Sequence, residues 1–590
     1  MLTDRLPGPG VESIASGFAR FALFLRLQTY YFWMAGTGKC YMVLKFTKKQ
    51  ITMKKIAHSS RHEYIRPSHR ACLFLQFTYR ICIYFIFLIT GSLSSPAQRS
   101  TAQAGKVADI GSQRQLFVDD FLISRFQGKA ELRLHHPVPQ EIVMVNDEPW
   151  EGSFSNYNSI FKDGDIYRMY YRGWNRGAKG ETTHPMVWCY AESHDGIHWT
   201  KPDLGLFDFN GSNHNNIVLA TRDFGDFHFL LTDNVTVFKD NNPDVSPDAL
   251  YKALVDRRVP AWVLLAFKSP DGIHWSPMSD TPILTDGTFD TQNTAFWDSA
   301  KKEYRIYWRI FISKMRAIRT ATSRDFIHWE NHANLQYMDT LSEQLYTNGV
   351  IPYYRAPQIY IGFPARYIDR GWSNSMRALP EIEERQMRSI TQPRFGTALT
   401  ESLFMTSSDG VRFRRWNEAF LRPGIERPGT WSYSQQYIGW SILETKSALE
   451  GAPNELSLYA NESLWTGSSS ALRRYTLRLD GFVSVNAPMS GGSFVTKPLR
   501  FRGKRLSLNF STSAYGSIRV EVQDLKGNPM PGFALKDCPP IFGDAIDRPI
   551  FWNNASDADS TNIGSLAGKA VRLRFEIKDG DLYSFHFHDD

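Results

Sequence analysis

Cysteine is scarce in this chain of 590 residues, and this scarcity limits the classes of protein to consider. Of five cysteines, Cys40, Cys72 and Cys82 lie in the first 97 residues, which leaves two for the rest of the chain. That number excludes a disulfide framework, and no CxxC pair is present to hold a zinc ion. A single bridge between Cys189 and Cys538 is left open.

Excess positive charge is missing from most of the chain, although the formal net charge is +8. Residues 1–97 hold 13 Lys or Arg and three Asp or Glu, and the residues after them hold 55 basic and 57 acidic side chains. A nucleic-acid-binding domain usually carries a clear basic excess. We therefore expect no nucleic-acid partner.

Long apolar runs are also missing, and the one at 81–89 has nine residues, whereas a membrane span needs about 20. Basic residues precede this run, and the small residues that follow end in Ser95-Pro96-Ala97, as at a signal-peptidase site. We expect residues 1–97 to be a secretory leader cleaved near Ala97, with a true translation start downstream of Met1, for instance at Met53. The mature protein would then be secreted, periplasmic or extracellular, without membrane attachment. An uncleaved membrane anchor is the alternative.

Helical periodicity is lacking after residue 97, and we expect no substantial helix there. Instead, one seven-residue turn occurs four times, as SHDGIHW (193–199), SPDGIHW (269–275), SRDFIHW (323–329) and SSDGVRF (407–413). Asp-Gly tolerates a positive φ, and Ser and Asp side chains bond to the backbone amides of tight bends. We interpret the turn as the closure of an outer hairpin, with its tryptophan packed between repeats and His198 and His274 as scaffold.

Three strand patterns precede each turn and a fourth follows it. Each interval between successive turns is long enough for one such unit, and repeated four-stranded units are typical of propeller blades. A fifth unit without the turn covers 437–479, and alternating strands follow from about residue 481. We therefore predict an all-β protein with a leader at 1–97, a five-bladed β-propeller at 98–485 and a C-terminal β-sandwich at 486–590.

These blades and SxDGxxW turns resemble those of the five-bladed propeller glycoside hydrolases, families 43 and 32, the latter with a C-terminal β-sandwich. The catalytic motifs of the two families are not present here in standard form. In those enzymes, carboxylates near the starts of the innermost strands face one channel mouth and act as nucleophile or base, as acid, and as modulator of the acid. A sialidase is disfavoured, because its Asp-box, SxDxGxxW, is one residue longer and its propeller has six blades.

The resemblance implies candidate catalytic carboxylates at the start of successive blades. Glu151 precedes blade 1, with Asp147 as second choice, and Asp233, Asp290 and Glu343 open blades 2, 3 and 4. We expect Glu343 to donate the proton and Glu151 or Asp233 to act as base or nucleophile. Each residue alone is typical of a solvated loop, but their recurrence at equivalent points favours a shared site.

Arginines recur as well, since YRxYxR is found at both 167–172 and 304–309. Arg257 and Arg366 end the equivalent strands of blades 2 and 4, so up to four arginines are expected at the same rim. We expect Arg172, Arg309 and Arg366, with Trp150, to bind substrate, and guanidinium groups suit a carboxylated or sulfated sugar. Pairing between these arginines and the acids of neighbouring blades is the alternative.

The sequence thus predicts a secreted glycoside hydrolase that acts on a polysaccharide or oligosaccharide, plant-type or anionic. It uses no required redox cofactor and no catalytic metal; a structural calcium and the oligomeric state are left open. The alternative is a non-catalytic propeller that binds glycan or protein, with its acids and arginines in salt bridges.

Overall fold

A computed structural model describes residues 107–177, 179–220, 230–258, 261–338, 343–553 and 562–589, with only the backbone of 230–232. In the first 101 residues, which form a compact unit of their own, it describes the backbone of two antiparallel strands, Gln28–Trp33 and Cys40–Lys45. The apolar run 81–89 and Ala97 lie outside the described residues, so the leader and its cleavage stay predictions.

Five sheets in the second unit, 102–590, form a five-bladed propeller, which confirms the predicted fold class; their strand pairs are antiparallel except for Gln336–Met338 with Arg412–Arg415 in blade 4. Blade 1 consists of Asn156–Asp163, Ile166–Gly173, Val187–Ser193, Trp199–Thr200 and Ile217–Ala220. Blade 2 consists of Leu230–Lys239, Tyr251–Arg257, Val263–Ser269 and Ser276–Pro277. Blade 3 consists of Thr294–Asp298, Glu303–Ile312, Met315–Ser323 and Trp329–Asn334.

Blades 4 and 5 are less regular. Blade 4 consists of Ile351–Tyr353, Ala356–Gly362, Met405–Ser407, Arg412–Arg415 and Gln336–Met338, with a separate strand pair, Ala365–Asp369 and Ala398–Ser402. Blade 5 consists of Leu443–Thr445, Glu455–Glu462, Ser470–Arg478 and Val138–Asn146. Its outermost strand therefore comes from before blade 1, so strands from the two ends of the propeller close the ring.

The predicted sandwich is a curled sheet to which both ends of this unit contribute. Its strands are Gln115–Leu116, Ile123–Gly128, Glu131–Leu134, Val483–Ala487, Gly492–Thr496, Arg505–Gln523, Asp544–Pro549 and Arg572–His588, and the pair Ala108–Gly111 and Leu499–Phe501 lies apart. Phe494 packs against Phe117 and Phe575, with ring centroids 5.0 and 4.8 Å apart. The range 486–590 stays a prediction, but the three strands within residues 115–134 pair with other strands of this sheet.

The repeated turn has the structural role that its sequence indicates. In the first copy, the Ser193 hydroxyl accepts bonds from the amides of residues 195 and 196, and Asp195 Oδ1 accepts from residues 197 and 198. His198 Nδ1 lies 2.7 Å from Asp195 Oδ2. Burial opposes the shift, but these hydrogen bonds lower the pKa of Asp195. The other three copies repeat the backbone bonds, which supports a scaffold role.

A tyrosine of the preceding blade fastens three of the four turns. Tyr170 and Tyr307 donate to the carbonyls of Gly272 and Gly410 at 2.9 Å, and Tyr459 of blade 5 donates to Gly196. These glycines have positive φ, and a Cβ at Gly272 would lie 2.5 Å from the Tyr170 hydroxyl. Glycine is therefore required by both its backbone conformation and its neighbour.

At the third turn, a phenylalanine and a leucine take the places of the turn glycine and the strand tyrosine. Phe326 stands in place of glycine with φ +71, and its ring packs in the core, 5.6 Å from Phe238 and 5.3 Å from Tyr304. The strand residue paired with the turn serine is Tyr167 in blade 1 and Tyr251 in blade 2, so Leu254 occupies the position of Tyr170. The absent tyrosine leaves the space that Phe326 fills.

The expectation of no substantial helix is wrong. An insertion at 370–397 of blade 4 contains the helices Asn374–Ala378, Ile382–Thr391 and Arg394–Thr397, besides single 3₁₀ turns at Pro247–Ala249, Leu535–Asp537 and Gly564–Leu566. Helix Ile382–Thr391 buries Arg385 and Arg388, whose guanidinium groups bond to the carbonyls of Pro380, Thr430 and Trp465. The buried side chains of this helix are thus charged, whereas a helix usually turns an apolar stripe toward the core.

The Cys189–Cys538 bridge does not form. Both thiols are free and buried, Cys189 in the core of blade 1 and Cys538 in the core of the curled sheet. Each cysteine packs as a small apolar side chain, and burial raises the pKa of both thiols.

Candidate functional site

A cavity of about 180 Å³ opens at the end of the propeller where the innermost strands begin. The innermost strands of the blades begin beside this cavity, and the second strands end beside it. The recurring carboxylates and the recurring arginines of the sequence are therefore both directed to this rim. Its lining residues are Phe154, Tyr157, Arg172, Trp174, Arg176, Asp233, Arg258, Asp290, Tyr346, Arg394, Phe395, Tyr433 and Ser434. Aromatic faces and charged groups therefore share one small space.

Five of the charged residues at this end form an alternating series, which we call the Arg-Asp series: Arg172, Asp233, Arg258, Asp290 and Arg309. Arg172 bonds to one oxygen of Asp233, and Arg258 Nη2 lies 2.5 Å from the other. Arg258 Nη2 also lies 3.4 Å from Asp290 Oδ1, and Arg309 Nη2 lies 3.4 Å from Asp290 Oδ2. Blades 1, 2 and 3 each contribute an arginine to this series.

The shared nitrogen of Arg258 limits the separation of the two aspartates. Asp233 Oδ2 and Asp290 Oδ1 lie 2.5 and 3.4 Å from it, so these two oxygens cannot be farther apart than the two distances laid end to end. The Asp233 side chain is 5% exposed, whereas that of Asp290 is 41% exposed. Asp290 is thus the carboxylate that a ligand in the cavity reaches first.

A third aspartate, Asp256, lies buried behind the series. Trp262 Nε1 donates to its Oδ2 at 3.1 Å, Arg258 Nε is 3.8 Å from the same oxygen, and Oδ1 has no hydrogen-bond partner among the described residues. Burial, and after it the charge of Asp233, raises the pKa of Asp256 to about 8. This carboxyl therefore holds a proton at neutral pH next to two paired carboxylates.

Asp233, Asp290, Arg172 and Arg309 are brought together as the sequence suggested, but Glu151 and Trp150 do not line the cavity. Glu151 is buried and accepts bonds from Tyr171 at 2.5 Å and Lys201 at 2.7 Å. Burial raises the pKa of Glu151, against the effect of Lys201. Trp150 donates to Asn216 Oδ1 at 2.7 Å. These side chains belong to a separate polar cluster within blade 1.

Glu343 and Arg366 also lie outside the lining and pair with each other. Glu343 Oε1 lies 3.0 Å from Arg366, and its Oε2 lies 2.9 Å from Arg415 on the strand Arg412–Arg415. Arg366 bonds in addition to Glu401 at 2.5 Å. These pairs lie within blade 4, whereas the alternative for the arginines was pairing between blades, and the catalytic and binding roles of both residues stay predictions.

Sequence reasoning missed Arg176, Asp256, Arg258 and Arg394. Arg257 ends the predicted strand, but successive strand residues point to opposite faces, so its neighbours Asp256 and Arg258 share the face toward the site. Arg394 comes from the unexpected insertion. The sequence does carry boundary signals for the helix Ile382–Thr391 of this insertion, because Pro380 and the acidic first turn Glu383-Glu384 mark its start and Pro393 follows its end.

Among the described residues, no group of three or more His, Cys, Asp or Glu side chains is arranged to hold a metal ion. Within the same ranges, no helix has the length and apolarity that crossing a membrane requires.

No protein-family model matches this chain. Two uncharacterized proteins from strains of Mycobacterium tuberculosis are 42% identical to it over 59 residues, which is 10% of this chain and 19% of theirs. The chain thus covers about a fifth of the length of these curated relatives, and the match assigns no family.

Several solved structures show a distant similarity. An N-acetylgalactosamine deacetylase from F. plautii in complex with blood group B trisaccharide is 11% identical, with TM-score 0.37 and coverage of 58% of this chain and 94% of that chain. A fructofuranosidase from Schwanniomyces occidentalis complexed with fructosylnystose is 12% identical, with TM-score 0.34 and coverage of 76% and 96%. A glycosyl hydrolase from Bacteroides ovatus is 13% identical, with TM-score 0.32 and coverage of 58% and 94%. At these scores the similarity assigns no activity to this chain.

Proposed function

We propose that this protein is a glycoside hydrolase that cleaves an oligosaccharide or polysaccharide in the propeller cavity. The observation that supports the proposal most is the pair Asp233 and Asp290, whose oxygens lie 2.5 and 3.4 Å from one nitrogen of Arg258 in an aromatic-lined cavity. Glycoside hydrolysis needs two carboxyls close together across the sugar, one as acid and one as carboxylate.

The different surroundings of the two aspartates suggest their roles. Asp233 is enclosed by Arg172 and Arg258 and is suited to act as the carboxylate. Asp290, the exposed member, would act in its protonated form and give that proton to the glycosidic oxygen as the bond to the anomeric carbon breaks. Water then supplies a hydroxyl to that carbon, and its remaining proton returns to Asp290.

The close spacing of the two carboxyls favours retention of configuration. Retaining enzymes place their carboxyls about 5–5.5 Å apart, whereas inverting enzymes need about 6.5–9.5 Å to accommodate a water molecule. Asp233 Oδ2 and Asp290 Oδ1 lie 2.5 and 3.4 Å from the same Arg258 nitrogen, so these two oxygens are closer together than the inverting separation. In the retaining reaction, Asp233 would form a bond to the anomeric carbon, and water would break that bond in a second step.

A non-catalytic glycan-binding propeller is the second candidate, and one observation favours it. Both cavity carboxylates pair with arginines, as expected of a structural salt-bridge network. In such a protein the aromatic side chains and arginines would bind a sugar without turnover.

The test is to incubate the purified full chain with a broad panel of neutral and acidic polysaccharides and aryl glycosides and to measure the release of reducing ends. We expect turnover of at least one substrate, and we expect Asp290→Asn to reduce it about 10²–10⁴-fold while binding persists. Binding without turnover across the panel would favour the second candidate. Turnover that Asp233→Asn and Asp290→Asn leave unchanged would overturn the assignment.

A further inference from the structure

Two arginines line the cavity outside the Arg-Asp series, Arg176 and Arg394. Arg176 donates twice to the carbonyl of Gly180, at 3.1 and 2.9 Å. Arg394 donates to Gln392 Oε1 at 2.9 Å and to the Tyr433 hydroxyl at 3.3 Å. All of these acceptors are neutral, and neither arginine forms an ion pair with a carboxylate of the described residues.

Both guanidinium groups pack against the ring of Phe395. The Cζ atoms of Arg176 and Arg394 lie 5.7 and 4.6 Å from its centroid, and both side chains line the same cavity of about 180 Å³, where one ligand can reach them. Trp174 and Trp465 also pack against Arg176, with centroids 5.0 and 4.5 Å from its Cζ. These rings hold the long side chain in place, so that little conformational entropy remains to be lost on binding.

The charges in the cavity do not balance. Arg172, Arg258 and Arg309 are shared by two carboxylates, and Arg176 and Arg394 add two positive charges that pair directly with no acid of the described residues. Burial, and after it the charge of Arg172, lowers the pKa of Arg176, against the smaller effects of Asp233 and Asp290. Such an arrangement is expected where a ligand supplies the missing anion.

We propose that the saccharide is acidic and that Arg176 and Arg394 bind its carboxylate or sulfate group. This inference rests on the proposed function, because it takes the cavity to be the saccharide site. Guanidinium groups bind both oxyanions through charge-assisted hydrogen bonds, and the exposed aromatic faces beside them suit a sugar ring. A neutral sugar would leave the two positive charges uncompensated.

The test measures binding, so that its outcome is separate from catalysis. Calorimetry at low salt compares matched pairs of ligands on the full chain: galacturonate with galactose, glucuronate with glucose, and galactose 6-sulfate with galactose. We expect at least one acid to bind tenfold or more tightly than its neutral partner. Arg176→Gln and Arg394→Gln should each remove most of that difference, while the control Arg412→Gln, at an exposed turn of blade 4, should preserve it.

The ligand pairs also identify the acidic group, since uronates test a carboxylate and the sulfated sugar tests a sulfate. If no acidic sugar binds more tightly than its partner, or if both arginine variants retain the preference, the inference is wrong. Hydrolysis of neutral glycosides without any acidic preference would contradict this inference and leave the proposed function intact. Acid-selective binding without turnover of any substrate would support this inference and contradict the proposed function.

Discussion

Exchange of two residues between blades 2 and 3 tests whether the repeated turn works as a coupled pair of positions. The variants are Phe326→Gly, Leu254→Tyr and the double variant, which rebuilds at the third turn the Tyr-Gly pair of the other three. Phe326 is buried with φ +71, and Leu254 belongs to the same core cluster.

The single changes should both destabilise the protein. Deleting the buried Phe326 ring costs about 3–5 kcal/mol, and relief of the left-handed backbone returns about 1–2 kcal/mol, for a net loss of roughly 1–4 kcal/mol. Leu254→Tyr places a larger side chain against Phe326 and should cost about 1–3 kcal/mol. In the double variant the tyrosine fills the vacated space and donates to the carbonyl of residue 326, worth about 0.5–1.5 kcal/mol.

The assay is urea unfolding of all four proteins, followed by tryptophan fluorescence. We expect the double variant to be more stable than the sum of the single changes implies, by about 1–3 kcal/mol. If the two single effects add up to the effect of the double variant within about 0.5 kcal/mol, the idea that the two positions exchange space is refuted.

Three further predictions follow from buried groups. Native Asp256 keeps its proton to about pH 8, whereas the unfolded carboxyl loses it near pH 4. This residue should therefore make the free energy of unfolding fall as pH rises between those values, by up to about 1.4 kcal/mol per pH unit. Urea titrations of Asp256→Asn should show a flatter pH profile, and an unchanged profile would contradict the assignment. Gly272→Ala should lower the stability about 1–3 kcal/mol more than Gly451→Ala, because both sites have positive φ but only the first new Cβ meets a neighbour, Tyr170; equal losses in urea unfolding would be inconsistent with the tyrosine contact. Dithiothreitol should leave the thermal midpoint unchanged, because Cys189 and Cys538 are both unpaired, and a clear decrease would indicate a bridge.

The blades could be predicted from the sequence because their signals are local. Strand alternation and the SxDGxxW turn involve residues close together in the chain, and the turn bonds are the ones its side chains predict. The last strand of blade 5 could not be predicted in this way, because Ser470 pairs with Asn146, which lies before blade 1 in the chain. The helical insertion was not predicted, because its main helix buries Arg385 and Arg388 in place of apolar residues.

The site was predictable in part for the same reason. Asp233 and Asp290 lie near the starts of innermost strands, so the rotation of the propeller brings them together. Glu343 precedes an innermost strand too, but Arg366 and Arg415 pair with it away from the cavity. Which acid meets which arginine depends on the tertiary arrangement, and a shift of one residue, as between Arg257 and Arg258, moves a side chain to the other face.

The central claim is that Asp233 and Asp290 cleave a glycosidic bond. The most direct measurement follows the anomeric protons by NMR while a substrate from the panel is mixed with wild-type protein or with Asp290→Asn. We predict that the wild type releases a sugar that first appears with the anomeric configuration of the substrate, and that the variant binds the substrate but releases product at least about 100-fold more slowly. Equal rates for the two proteins, or binding by the wild type without any new anomeric signal, would contradict the claim.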